Sequence, residues 1–225
     1  MSRVLVVAAH PDDEVLGCGG TLARHVEAGD SVAVMFLTDG VGARGNSPEA
    51  EPARRAREAS ARAALSILGV CEIVFGNLPD NQIDSVPLLR VAQAVEAVAR
   101  ERQPDLVYTH HIGDLNVDHR LAHQAVLTAF RPQPGQARPT ILAFETASST
   151  EWQSVAAGLA FQPNWFEPIE GQLERKLDSL KAYGQEMRPW PHARSLTAVE
   201  HLARWRGATI GCAAAEAFML VRRIG

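Results

Sequence analysis

The stretch that most constrains this chain lies near its start. Six apolar residues, Val4-Leu5-Val6-Val7-Ala8-Ala9, run directly into His10-Pro11-Asp12-Asp13-Glu14. An unbroken apolar run fits a strand covered on both faces, as in a parallel sheet, rather than one alternating between core and water. Parallel strands need crossover connections, usually helices, and the following sequence supplies them. Spacing predicts a helix over Glu14–Ala28, stopped by Gly29-Asp30, and a second buried strand over Ser31–Thr38. A polar loop, Val41–Pro52, leads to an alanine- and arginine-rich helix over Ala53–Leu68, closed by Gly69. Strands over Glu72–Phe75, Asp105–Thr109 and Thr140–Thr146 alternate with helices over Leu88–Arg102 and Leu121–Phe130. This alternation predicts an α/β fold with a parallel sheet.

Past Thr146 the pattern weakens. Leu173–Tyr183 and Ala198–Arg206 read as helices and Ala217–Arg222 as a closing strand. Ser148–Ile169, rich in Trp, Pro and polar residues, reads as irregular structure covering a pocket. With 225 residues and no linker or repeat, a single domain is expected, with a parallel core over 1–147 and a covering, sheet-closing part over 148–225. The formal net charge of −4 gives no basic face for nucleic acid. No segment approaches the ~20 apolar residues that cross a bilayer. The N-terminal run is too short for a signal peptide. Cys18, Cys71 and Cys212 form no CxxC pair, so the expectation is buried, reduced thiols in a cytoplasmic protein.

Ligands in open α/β sheets bind at the carboxyl ends of the strands, and the polar residues gather there. Strand one ends in His10 to Glu14 and strand two in Asp39. Strand three leads to Asp80-Asn81, and strand four to His110-His111, Asp114, Asn116, Asp118 and His119. A catalytic zinc takes three protein ligands and leaves a position open. His10, one of Asp12 or Asp13, and a histidine of the second cluster would supply them. The spare carboxylate would then serve as general base.

Each piece also has a plainer reading. Asp12-Asp13 could cap a helix N-terminus. His119 and His123 could share a metal, but the glutamate of HExxH is missing, so His123 is read as a helix-surface residue or a support behind the ligands. Gly17-Cys18-Gly19-Gly20 could cradle a phosphate. However, it is not GxGxxG, and three upstream carboxylates would repel a pyrophosphate, so close helix packing is the better account. Arg54-Arg55-Ala56-Arg57, flanked by Glu49, Glu51 and Glu58, is either a solvated helix face or a substrate contact.

These residues resemble the PIG-L, or LmbE-like, deacetylases. The likeness rests on Ala9-His10-Pro11-Asp12-Asp13-Glu14, Thr38-Asp39-Gly40, Arg55-Ala56-Arg57-Glu58, Asp118-His119, Arg206-Gly207 and Glu216-Ala217-Phe218, and so spans most of the chain. It implies a Rossmann-like three-layer α/β sandwich with a mostly parallel central sheet. It implies His10, Asp13 and His119 as ligands to one divalent metal, Zn2+, with Asp12 as general base and Arg55 as a substrate-binding residue. One position departs from the pattern. Better-known members have His-Pro-Asp-His where this chain has Asn116-Val117-Asp118-His119. Asn116 can donate a hydrogen bond to an oxyanion but cannot protonate a leaving amine, which makes His111 and His192 candidates for that task. His192 lies in Arg188-Pro189-Trp190-Pro191-His192-Ala193-Arg194, a mixture suited to a sugar stacking on Trp190 and meeting Arg194.

The function these readings predict is zinc-dependent removal of an acetyl group from an N-acetylated amino sugar or its conjugate, with Asp12, Asn116 and His192 catalytic. Arg55, Asp80, His111, Asp114 and Arg194 are expected to contact the substrate. A homo-oligomer is compatible with the sequence. The alternatives are a nucleotide-sugar-binding regulatory protein without turnover, or a zinc amidase acting on a thiol-sugar conjugate.

Overall fold

A computed structural model of the chain describes residues 1–42, 50–136, 138–154 and 159–225. Seven strands form one sheet: β1 (Arg3–Ala8), β2 (Ser31–Thr38), β3 (Glu72–Leu78), β4 (Leu106–His110), β5 (Thr140–Phe144), β6 (Trp165–Pro168) and β7 (Ala215–Arg222). Their order is β3-β2-β1-β4-β5-β7-β6. The first five run parallel, and β7 and β6 add antiparallel. The described helices are α1 (Asp13–Glu27), α2 (Ala50–Leu68), α3 (Leu88–Arg102), α4 (Val117–Ala129), α5 (Leu173–Lys181) and α6 (Leu196–Ala208).

The run that opens the chain explains the layering. In β1, Val4, Val6 and Ala8 enter one core with residues of α1, α2, α5 and α6. Leu5 and Val7 enter the other, with α3 and α4. With both faces covered, every residue of the run is apolar, as period-two geometry demands. Strand order reverses between β1 and β4, each of which pairs with the other in the middle of the sheet. The crevice beyond their carboxyl ends is where such sheets bind ligands, and it receives both polar clusters.

Three expectations change. The segment read as irregular contains β6, a four-residue edge strand ending in Pro168; its brevity and its proline hide it from period-two reading. α4 begins at Val117 rather than Leu121, because Asn116 caps it by accepting the Asp118 N–H at 2.8 Å. Among the cysteines only Cys18 is buried; Cys71 is exposed and Cys212 partly so. Most of the polar loop before α2, with Glu49, lies outside the described residues.

Candidate metal centre and active site

β1 ends at Ala8, and the chain turns sharply to start α1 at Asp13. Asp12 makes the turn at φ 122°, ψ −28°, a strained conformation for a residue with a Cβ, costing roughly 1–3 kcal/mol. It occupies the cap position yet caps nothing with its side chain, which removes the helix-cap reading. Its N–H is taken by Glu14 Oε2 at 3.0 Å, and the Tyr183 hydroxyl donates to Glu14 Oε1 at 2.6 Å.

Three donor atoms meet above the switch point. His10 Nδ1 lies 3.1 Å from Asp13 Oδ2. His119 Nε2 lies 3.3 Å from that oxygen and 3.3 Å from His10 Nδ1. A tetrahedral ion with bonds of ~2.0–2.1 Å separates its ligands by about 3.3–3.4 Å, so the triangle has the size of one face of such a site. All three side chains are buried or nearly so. The donor set of two imidazoles and one carboxylate fits zinc.

Carboxylates back both imidazoles. His10 Nε2 is 3.2 Å from Asp118 Oδ2 and 3.3 Å from Asp80 Oδ1. His119 Nδ1 is 3.1 Å from Asp114 Oδ1, close but off hydrogen-bond geometry. A carboxylate behind each histidine fixes the ring and raises its basicity as a ligand. Burial opposes charge on His10, yet Asp118, Asp13 and Asp80 outweigh it and lift its pKa to about 10. Burial likewise opposes charge on His119, while Asp13 and Asp114 lift it to about 9. Against the pull of burial, His119 and His10 hold Asp13 well below the usual carboxylate range. Ser149 and Thr150 hydroxyls, with His119, hold the buried Asp114 at about 2. This pocket favours positive charge, as a cation site must.

Asp12 faces the other way. Its Oδ2 lies 3.2 Å from Arg194 Nη1 and 3.8 Å from Arg57 Nη1, and Glu186 contacts both arginines. Burial and neighbouring Asp13 push its carboxyl up to about 7, against the two arginines. That is near the optimum for a group that must take a proton and return it near neutral pH.

The remaining expected residues scatter. Asp80 and Asp114 are buried against the histidines, Asp80 Oδ1 3.3 Å from His10 Nε2 and Asp114 Oδ1 3.1 Å from His119 Nδ1, rather than exposed toward a substrate. Arg55 is 75% exposed and paired with Glu51 at 2.9 Å. The buried face of α2 runs through Arg57, Ala61, Ala64 and Leu65, and two residues of helix turn Arg55 to the far side. Arg57 faces the site instead, donating to the Pro11 carbonyl at 3.1 Å. His111 is buried, with Nε2 donating to the Leu159 carbonyl at 2.8 Å. Asn116 is occupied by its cap and by Asn81, whose Oδ1 accepts from its amide at 3.2 Å. His192 touches none of the three donors among the described residues; its Nδ1 accepts the Arg194 N–H at 3.0 Å, and its ring meets the Trp152 edge at 5.7 Å.

Sequence reading gives no role to two supports and leaves a third, His123, between helix surface and support. His110 accepts the Ala9 N–H at 2.9 Å and stacks on His119 at 3.9 Å, so it is held neutral, with burial pushing its pKa well down. Asp118, next to His119 in sequence, accepts the Ile83 N–H at 3.1 Å while facing His10. His123 donates to the His110 carbonyl at 2.8 Å, from behind the site. Only the adjacency of these residues to the clusters could have signalled them.

A family model described as GlcNAc-PI de-N-acetylase, PIG-L, matches residues 5–130. This chain belongs to the PIG-L family. It is 31% identical to the 1D-myo-inositol 2-acetamido-2-deoxy-alpha-D-glucopyranoside deacetylase of Rhodococcus erythropolis, over 79% of this chain and 72% of that protein. It is 30% identical to the 4-oxalmesaconate hydratase of Pseudomonas putida, over 84% of this chain and 75% of that protein. Its fold matches the N,N'-diacetylchitobiose deacetylase of Pyrococcus horikoshii at a TM-score of 0.80, with 21% identity, covering 98% of this chain and 84% of that one. No helix among the described residues is long and apolar enough to cross a membrane.

Proposed function

We propose that the protein is a zinc-dependent hydrolase that removes the acetyl group from an N-acetylated amino sugar or its conjugate. The observation that carries this reading is the triangle of His10, Asp13 and His119 donors, with the next carboxylate along the chain, Asp12, outside the triangle and held by Arg194. The names of the deacetylase relatives support the acetamido sugar as substrate class.

In this reading His10, Asp13 and His119 hold the metal. Bound zinc supplies Lewis acidity toward the amide carbonyl and toward water. Asp12 takes the water proton as the carbonyl is attacked, then returns it to the departing amine. Negative charge that develops on the carbonyl oxygen needs a donor in a dry site. Asn116 caps α4 through its Oδ1 and has one amide N–H besides the one on Asn81, and Arg194 lies 3.2 Å from Asp12, so these two are the donors this reading assigns. His192 then acts through the Arg194 backbone rather than as an acid. Asp80, Asp114 and Asp118 aim the two imidazoles.

The test is acetate release by the purified chain, with and without added zinc, from N-acetylglucosamine, its inositol glycoside and diacetylchitobiose. Zinc-dependent release from at least one is expected. Zinc-loaded protein that frees no acetate but hydrates 4-oxalmesaconate would overturn the hydrolase reading in favour of the reaction named for the Pseudomonas putida relative.

A further inference from the structure

The helix that carries Asp13 is broken in its middle. Cys18 stands at φ −147°, ψ 19°, off helical values, and divides α1 into a short first piece bearing Asp13 and Glu14 and a longer second piece. A break of this kind strands N–H groups that open the second piece and carbonyls that end the first. Here both sets lie in the core, where unpartnered polar groups are costly.

Two charged side chains from distant elements meet them. Glu216 of β7 accepts the Gly20 N–H at 3.0 Å and the Thr21 N–H at 2.7 Å. Lys176 of α5 donates to the Leu16 carbonyl at 2.9 Å and to Glu216 Oε1 at 2.5 Å. Both side chains are buried, at 4% and 3% exposure. Glu216 therefore fills with an internal carboxylate the role that Gly17-Cys18-Gly19-Gly20 could have offered a phosphate. The bend also presses α1 against its neighbours. A Cβ at Gly17 would overlap the Phe144 ring, and one at Gly20 would lie 2.7 Å from Ile169.

A buried ion pair that serves only itself is often replaceable by an apolar pair, whereas this one also holds three backbone groups of the break and so fixes the course of α1. We propose that Lys176 and Glu216 are positioning residues. They splint the break in α1 so that its first turn presents the Asp13 carboxylate to His10 and His119. The proposal rests on the metal reading above.

The experiment measures zinc binding by the full chain in competition with a chelating dye, beside the melting temperature of the zinc-free protein. Lys176→Met/Glu216→Met leaves the Gly20 and Thr21 N–H groups and the Leu16 carbonyl without these partners and should lower the melting temperature; where it stays folded it should bind zinc about tenfold more weakly, the low end of the effect of residues behind metal ligands. Wild-type affinity in that folded variant would overturn the proposal. If the double variant does not fold, Glu216→Asp decides. It keeps the charge but shortens the reach by one methylene, so zinc should bind several-fold more weakly at near-normal melting temperature, and unchanged affinity overturns the proposal. Wild-type protein that takes up no zinc would overturn the metal reading as well, a result read before any variant is compared.

Discussion

The parallel half of the molecule, β1 to β5, and the antiparallel addition, β6 and β7 with α5 and α6, contribute differently to one site. The parallel half supplies every donor of the triangle, because its strands all deliver their carboxyl ends to one rim. The later half supplies no donor. It sends charged or hydroxyl groups inward: Lys176, Tyr183, Arg194 and Glu216 contact Leu16, Glu14, Asp12 and α1. The donors thus come from the first half alone, while support comes from both, with Asp80, Asp114 and Asp118 behind the imidazoles and Lys176 and Glu216 behind α1. Changes at a donor should abolish a property, and changes at a support should weaken it.

The sharpest way to break that contrast is His119→Ala. Losing one of three protein ligands should bring zinc content close to zero by elemental analysis, while His123→Ala, which loses only a bond to the His110 carbonyl, should keep the metal. Zinc retained in the first variant and lost in the second would move the centre along α4.

Asp12→Asn should separate binding from turnover. The amide nearly matches the carboxylate in shape but cannot take the water proton. Zinc content should therefore stay at the wild-type level while turnover falls ~10²–10⁴-fold. An Asp12→Asn protein without metal, beside an Asp13→Asn protein that retains it, would exchange the two roles.

Legibility followed the same division. The sheet could be read because doubly covered strands are continuous apolar runs, and β1, β2 and β5 announce themselves. The donor clusters could be read because charge just after such a strand has no packing purpose. β6 could not, being four residues of partly exposed edge. Arg55 and Arg57 are two residues apart in one arginine-rich stretch, and only the phase of α2 separates the exposed one from the one beside Asp12. Lys176 and Glu216 look like any charged residues of an amphipathic element. Their partners are backbone groups exposed by a break 160 or more residues away along the chain, and no local pattern encodes a long-range contact.

The smallest expected effect tests the support that reaches furthest into the turn. Tyr183 donates to the wholly buried Glu14, whose other oxygen takes the Asp12 N–H. Burial pushes the Glu14 carboxyl up to about 8, although both hydrogen bonds pull the other way. Between about 4.5 and about 8 the folded chain holds a proton here that the unfolded chain has lost, so this group's contribution to stability declines as pH rises through that window. Tyr183 keeps its own proton throughout, burial pushing its pKa well up. Tyr183→Phe removes one hydrogen bond. With Glu14 protonated that bond is neutral and worth about 1 kcal/mol; with Glu14 ionised it is charge-assisted and worth about 2. Urea unfolding of the zinc-free protein should therefore show a penalty of ~1 kcal/mol at pH 6 that grows to ~2 kcal/mol at pH 9. A penalty that shrinks with rising pH would mean that the hydroxyl serves the protonated acid as an acceptor, and that the later half of the chain does not support the charge beside Asp12.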